Sequence, residues 1–336
     1  MLTRVTDSSH AGEARRQVAI FGEEAQLGEI ERGALAIVAT EMTTNVLKHA
    51  GSGVVLIDSI GQNGYRGVRL LGLDQGRGIR DVAAALQDGY SSSGSAGNGL
   101  GAIKRLSSEF DIYSVPNSGT AILSEIWPKD QKPHREVWPL QVGVVSTPIK
   151  GEDVCGDGWS VKKMGDATLL MVVDGLGHGI MAAEAARTAE SVFNQSKTAG
   201  LSGILQDTHD ALKKTRGAAV AIAAIEPERE QLSFAGVGNI GASIVTPSTS
   251  RGMVSHYGTV GHYLDRIQEF QFPWSAESLL IVHSDGLKTT WNLEHYPGIW
   301  QKHPALIAGV LYRDFTRDRD DVTVLVVKSS AGAGQP

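Results

Sequence analysis

The sequence predicts an α+β protein made of two domains. Three observations predict it. The length, 336 residues, suits two domains that each bury a core. A polar segment with two prolines, residues 128–135, separates apolar strand-like runs. In the second half strands precede and follow paired helices, the order of a layered α+β domain and not of a regular βαβ repeat.

The elements follow in order. Spacing predicts a helix over residues 13–27, with Val18 and Phe21 among its apolar positions. A second helix, residues 29–49, is stopped by Gly51-Ser52-Gly53. Strands are expected over 54–60 and 67–73. The stretch SSSGSAGNGLG then leads into a predicted helix over 102–110 and strands over 112–115 and 120–127. The first domain is placed at residues 1–129, a linker at 130–137, the second domain at 138–328 and a frayed tail at 329–336. In the second domain strands are expected over 140–146, 168–173, 218–225, 231–234, 241–245, 279–283 and 322–327. Helices are expected over 181–195 and 201–214. Trp127, Trp138 and Trp159 read as packing groups. No internal repeat links the halves.

Composition narrows the function. There are 31 Lys and Arg against 37 Asp and Glu, a formal charge of −6, which gives no sign of a broad nucleic-acid-binding surface. Cys155 is the single cysteine, so a disulfide framework and a Cys-rich zinc site are excluded. The first residues hold no apolar stretch of signal-peptide length, and no run is apolar over the roughly 18 residues of a membrane span. A cytoplasmic protein with neither nucleic acid nor membrane as partner is the expectation.

Glu41, Asn45 and His49 recur every four residues on one predicted helix and share a face. Asn45 offers a carbonyl oxygen suited to Mg²⁺, and Glu41 can orient or deprotonate a hydroxyl. Lys48 and His49 bring positive charge for phosphate. Asp74-Gln75-Gly76-Arg77-Gly78 follows a strand, where a carboxylate can accept from an adenine amino group. Gly97-Asn98-Gly99-Leu100-Gly101 precedes a helix and can present backbone N–H groups to phosphates. A GxxxxGK(S/T) loop is absent.

This ordered set resembles the GHKL (Bergerat-type) ATP-binding fold, an α/β sandwich. Within it, Gly99-Leu100-Gly101 through Lys104-Arg105-Leu106 and Glu109-Phe110-Asp111-Ile112 is similar to the RsbT switch-kinase family, over residues 10–127. The resemblance implies ATP and Mg²⁺ as ligands, with Asn45 on the ion, Glu41 as catalytic base and Asp74 reading adenine. It implies that Gly76, Gly78, Gly99 and Gly101 shape the phosphate lid, and that Thr120 supports Asp74 or an adenine-bound water. It implies STAS-domain regulatory proteins as partners, in a stressosome-like complex; homo-oligomerisation is left open.

The second half carries Asp157 in CGD, Asp174 in DGLGHG, Asp285 in SDG and Asp320 in DDVT, all at predicted strand ends or the turns after them. Two carboxylates about 4 Å apart repel by roughly 4 kcal/mol at an effective dielectric near 20. Divalent metals remove that penalty and prefer oxygen ligands, and Gly175 lets a backbone carbonyl approach an ion. DGLGHG, GAAVAI, HSDGL and DDVT in this order resemble the SpoIIE-like branch of the PPM (PP2C) phosphatases, and CGD and the overall spacing look most like RsbX, over residues 138–328. The resemblance implies a β-sandwich flanked by helices and two Mn²⁺ or Mg²⁺ ions held by Asp157, Asp174, Gly175, Asp285 and Asp320. It implies Asp174 as the catalytic centre that bridges both ions, and phosphoserine or phosphothreonine as the substrate. Asp153 and Asp321 fit accessory positions. His178 is either a leaving-group acid or a structural residue. Cys155 lacks a C-x₅-R phosphate loop, so it reads as a packing residue.

Three readings stand at this stage. The first is a bifunctional enzyme that phosphorylates and dephosphorylates STAS-type proteins. The second is a phosphatase with an ATP-sensing, non-catalytic first domain. The third is a partner-switching binding protein.

Overall fold

The computed structural model describes residues 1–62, 65–87, 99–129, 139–198 and 200–330. The expected linker, Trp138, the stretch 91–98 and the last residues of the tail lie outside them. The chain divides into two compact units, Met1–Glu136 and Val137–Pro336. Among the described residues no helix is long and apolar enough to cross a membrane.

The first unit contains strands β1 (Leu2–Val5), β2 (Gly53–Gln62), β3 (Tyr65–Asp74), β4 (Glu109–Ser114) and β5 (Thr120–Ile126). Its helices are α1 (His10–Glu24), α2 (Glu29–Ala50), α3 (Val82–Ala85) and α4 (Gly99–Leu106). The strands form one antiparallel sheet in the order β1-β2-β3-β5-β4. Alternation sends Val55, Ile57, Val68, Leu70 and Ile122 to one face. They pack with Leu35, Val38, Ala39, Met42 and Val46, which recur every three or four residues along α2. Gly51, at φ +76, ends α2 in the left-handed conformation that glycine adopts without strain. One expectation is corrected here. The helix predicted over 102–110 stops at Leu106, and Glu109 and Phe110 begin β4. Both residues are held in register with Glu125 and Ser124 of β5, so sheet pairing overrides local helical spacing.

The second unit is a β-sandwich. One sheet has the order β15-β10-β9-β8-β7, built from β7 (Asp157–Met164), β8 (Ala167–Gly175), β9 (Ala218–Glu226), β10 (Gln231–Val237) and β15 (Phe270–Pro273). The other has the order β12-β11-β16-β17-β6, built from β6 (Leu140–Thr147), β11 (Gly241–Thr246), β12 (Thr249–Met253), β16 (Leu279–His283) and β17 (Val322–Ser329). A small hairpin joins β13 (Gly258–Thr259) and β14 (Tyr263–Leu264).

The burial pattern of β8 and β9 explains the layering. Leu170, Val172, Ala221 and Ala223 face the interior between the sheets, with Leu280, Val282 and Leu325. Leu169, Met171, Val173, Val220 and Ile222 face the opposite way, onto α5 (Ile180–Gln195) and α6 (Leu201–Leu212). Strands buried on both faces read as unbroken apolar runs, as GAAVAIAAI does. Helix α7 (Pro304–Phe315) covers the second sheet beside β6 and β17.

Gly143 of β6 is where α7 comes closest, since a Cβ there would collide with the backbone of Pro304 and Ala305. Gly143→Ala should therefore destabilise the second unit by about 1–3 kcal/mol, the usual cost of overpacking. At Gly252 in β12 a Cβ meets nothing within 4 Å, so Gly252→Ala should leave stability nearly unchanged. Calorimetry of the two full-length variants makes the comparison.

Candidate functional site

In the first unit the end of β3 is pressed against its neighbours. Asp74 pairs in register with Gly53 and Thr120 and is 8% exposed. Its Oδ1 accepts hydrogen bonds from the Gly76 N–H (2.8 Å) and the Thr120 N–H (3.2 Å). The Thr120 hydroxyl lies 2.9 Å from that of Ser114, which accepts from the Ile79 N–H. A Cβ on Gly76 would lie 2.7 Å from the His49 carbonyl, and one on Gly78 (φ +64) would collide with the Val115 carbonyl. Both turns thus need glycine to close.

Glu41 and Asn45 meet the start of α4. A Cβ on Gly99 would lie 2.6 Å from Glu41 Oε2 and 3.5 Å from Asn45 Oδ1. Leu100 packs against the core and Gly101 is buried, so of the Gly-Leu-Gly triplet Gly99 is the one beside the carboxylate. His49 lies 3.5 Å from an Arg77 nitrogen. Burial first, and then the Arg77 charge, lower its pKa. Lys48 is exposed in the last turn of α2. A carboxylate, an amide oxygen and a helix start at one place are groups able to hold a nucleotide's phosphates and their cation.

In the second unit Asp157 heads β7 and stands opposite Asp174 in the register of β8. Asp157 Oδ2 accepts from the Ser284 hydroxyl (2.7 Å), and Ser284 Oγ accepts from the Thr323 N–H (2.9 Å). One buried hydroxyl therefore ties β7, the turn after β16 and β17 together. Asp285 accepts from the Asn239 amide at 2.5 Å. Asp321 is buried and accepts from the Ile149 N–H (2.7 Å) and the Gly156 N–H (2.7 Å), which fixes the turn before Asp157. Its neighbour Asp320 is half-buried and Asp153 is exposed. A Cβ on Gly175 would collide with the Ala182 carbonyl, so only glycine fits there.

The carboxylates feel one another. Burial pushes Asp174 up from 3.8 to about 7, reinforced by the charges of Asp285 and Asp320. Burial and then Asp174 hold Asp157 well above the ordinary carboxylate range, against the Ser284 hydrogen bond. Asp285 is raised by burial and Asp320, with Arg317 opposing. Among the described residues no three His, Cys, Asp or Glu side chains close on a single point. The donor set is nonetheless all oxygen and mutually repelling, and it fits a hard divalent cation. His178 Nδ1 lies 2.8 Å from Glu152 Oε1. The Cys155 thiol is pushed up to about 12 by burial first and by Asp157, so it stays protonated and unreactive. Sequence reasoning singled out neither Ser284 nor Asn239. Ser284 could have been found from its place beside Asp285; Asn239 carries no such signal.

The raised Asp174 has a measurable consequence. A carboxyl whose folded-state pKa exceeds its unfolded value binds its proton more tightly when folded. It is neutral to stability below the unfolded pKa near 3.8 and opposes folding increasingly as pH rises through about 7. In the presence of a chelator, Asp174→Asn should raise the stability of this unit by about 1–3 kcal/mol at pH 8. The gain should vanish near pH 4. Thermal unfolding across that range reads it directly, and an equal gain at both pH values would contradict it.

Comparison with known proteins finds relatives for each unit. Residues 5–124 match the histidine kinase-like ATPase domain family, and residues 164–330 match the family of stage II sporulation protein E (SpoIIE). The serine/threonine-protein kinase RsbT of Bacillus subtilis is 33% identical over 105 residues, 31% of this chain and 79% of that protein. The phosphoserine phosphatase RsbX of the same organism is 26% identical over 152 residues, 44% of this chain and 75% of that protein. A chain solved under the description "The bacterial stressosome: a modular system that has been adapted to control secondary messenger signaling" is 28% identical with a TM-score of 0.53. The match covers 56% of this chain and 99% of that one. The chain therefore belongs, through its first unit, to the RsbT-like family of histidine kinase-like ATPase domains, and joins that domain to a SpoIIE/RsbX-like phosphatase domain of the PP2C type.

Proposed function

We propose that this protein both writes and erases one phosphate signal. The first unit transfers the γ-phosphoryl group of ATP to a Ser or Thr hydroxyl of a STAS-domain protein, and the second hydrolyses the resulting phosphoester. The observation that carries the reading is the gathering of Asp157, Asp174, Asp285 and Asp320 at strand ends, where burial and mutual repulsion raise the first three. The names of the relatives, a serine/threonine kinase and a phosphoserine phosphatase, support the pairing of reactions. A neighbour described as a stressosome supports a partner of that assembly.

In the first unit Asp74 accepts from the adenine amino group while the Gly76 and Thr120 N–H groups hold its other contacts. Asn45 would hold, through its amide oxygen, the Mg²⁺ that accompanies ATP, and the first N–H groups of α4 would hold the phosphates. Glu41, beside Gly99, orients the acceptor hydroxyl and takes its proton. In the second unit Asp157, Asp174, Asp285, Asp320 and the Gly175 carbonyl would hold two Mn²⁺ or Mg²⁺ ions. Such a pair, when bound, supplies a Lewis-acid centre and makes water nucleophilic at neutral pH. The chain's own part is to keep the ligands aimed. Ser284 holds Asp157, Asn239 holds Asp285, and Asp321 holds the turn that leads into Asp157.

Intact-protein mass of a STAS-domain acceptor tests both arms with the full-length chain. With ATP–Mg²⁺ the acceptor should gain one phosphate, and with Mn²⁺ and no ATP the phosphorylated acceptor should lose it. Glu41→Ala should keep ATP affinity by calorimetry and slow transfer by about 10²–10⁴. Asp174→Asn should leave transfer intact and nearly abolish hydrolysis, as should a chelator. Transfer at the wild-type rate in Glu41→Ala would remove its role as base. Hydrolysis that survives chelator would remove the two-metal reading. A wild type that binds ATP without transfer would instead be a phosphatase regulated by ATP.

A further inference from the structure

Ten large apolar side chains are exposed among the described residues. Three of them, Leu176 (45%), Ile180 (73%) and Met181 (48%), fall within the six residues that follow Asp174-Gly175. Apolar side chains scattered singly over a surface need no explanation, whereas a cluster bordering a site marks an interaction surface. Packing does not account for these three. Helix α5 anchors itself through Ala182, Ala183, Ala185, Ala186, Ala189 and Phe193, and leaves Ile180 and Met181 outside.

The loop that carries Leu176 is held in place. The Leu176 N–H donates to the Gly217 carbonyl at 3.0 Å, continuing the ladder beyond the Gly175–Ala218 pair. That bond sets Arg216 beside Gly177, where a Cβ (φ +87) would lie 3.0 Å from Arg216 Nη1. The Arg216 carbonyl is in turn 2.9 Å from His262 Nε2. Its side chain is exposed, and among the described residues the guanidinium has no hydrogen-bond or ion-pair partner. An arginine that stands at the rim of an acidic site yet pairs with none of its carboxylates suits an anion arriving from solvent. Its planar fork of donors matches phosphate oxygens.

We propose that Leu176, Ile180, Met181 and Arg216 form the surface that docks the phosphorylated segment of a protein substrate. The guanidinium grips the phosphoryl oxygens, and an apolar side chain next to the phosphoresidue lies on the three apolar groups. This rests on the phosphatase reading above. Two features choose this occupant. The apolar part of the patch follows Asp174-Gly175 in sequence, and the Arg216 charge, without a partner among the described residues, is complementary to a phosphate. The surface therefore makes the enzyme selective for phosphoresidues flanked by leucine-like side chains.

Two synthetic phosphoserine peptides, identical except for Leu or Asn next to the phosphoserine, test this with the full-length protein and Mn²⁺. The wild type should favour the leucine peptide in kcat/KM by about five- to tenfold, the effect of partly burying one such side chain. Ile180→Ser combined with Met181→Ser should bring the ratio of the two peptides close to one, and continued turnover of the asparagine peptide shows that the variant is folded. Arg216→Ala should raise KM for both peptides and for p-nitrophenyl phosphate, with partial rescue by Arg216→Lys. A wild type indifferent to the flanking residue, a double variant that keeps the preference, or Arg216→Ala with an unchanged KM overturns the proposal. So does a wild type that sediments as a dimer, is made monomeric by the double variant and turns over both peptides equally, because the patch is then a contact between copies. Failure of the wild type to hydrolyse even p-nitrophenyl phosphate overturns the phosphatase reading, and this inference with it.

Discussion

Like charges held together by hydrogen-bonded sheet pairing set the terms for the second unit. Asp157 and Asp174 face each other because antiparallel register puts them there, and they cannot move apart without unpairing β7 from β8. Asp285 and Asp320 arrive from the other sheet, at the ends of β16 and just before β17. The sandwich thus concentrates negative charge at one rim, and its surroundings are organised around that fact. A serine hydroxyl, an asparagine amide and backbone N–H groups donate to the carboxylates, and Arg317 contributes a positive charge near Asp285. Each donor lowers the cost of ionisation without supplying a full countercharge, which leaves room for a cation.

In the first unit the comparable constraint is steric. The region around Asp74 is assembled from turns that touch backbone to backbone. Gly119, at φ +80, lies against the Asp74 carbonyl, and Gly76 lies against the end of α2. Close approach of this kind lets a short carboxylate accept from two N–H groups and stay nearly buried. The same logic places Gly99 against Glu41, since any side chain there would push α4 away from α2. Charge clustering in one unit and glycine-mediated contact in the other both put functional groups at element ends, where backbone groups remain free to act.

Much of this architecture is legible in the sequence, and the exceptions have physical causes. The strands of the sandwich interior and helices α5 and α6 announce themselves by apolar runs and helical spacing. Helix α7 does not, because Pro304 through Tyr312 are all buried and no polar face marks them in the sequence. Its remaining signals are local, a proline in the first turn and His303 accepting from the Ala305 N–H. Strand β7 escapes because it is an edge strand whose outer residues include Lys162 and Lys163. Lys162 is occupied with the C-terminal end of α5, donating to the Ser196 carbonyl at 2.7 Å. Strand β1 is four residues long, too short for alternation to register. The aspartates stand out because each sits in a short motif. Asn239, by contrast, reaches Asp285 across 46 residues of chain, a proximity that only sheet pairing creates.

The carboxylate cluster also links stability to chemistry. Any cation that binds the folded unit and not the unfolded chain stabilises it by mass action. A cation bound there would relieve the repulsion among Asp157, Asp174 and Asp285, so cation affinity and folding stability would rise together. A protein could remove the repulsion by replacing one aspartate with a neutral residue, and this unit would then be more stable and less able to hold a cation. All four aspartates stand at strand ends, with donors that are each individually too weak to neutralise them, so the cluster stays electrostatically incomplete. The exposed guanidinium of Arg216 belongs to the same logic. Paired with an aspartate it would quench the cluster, whereas beside Gly177, and without a partner among the described residues, it leaves the cluster acidic.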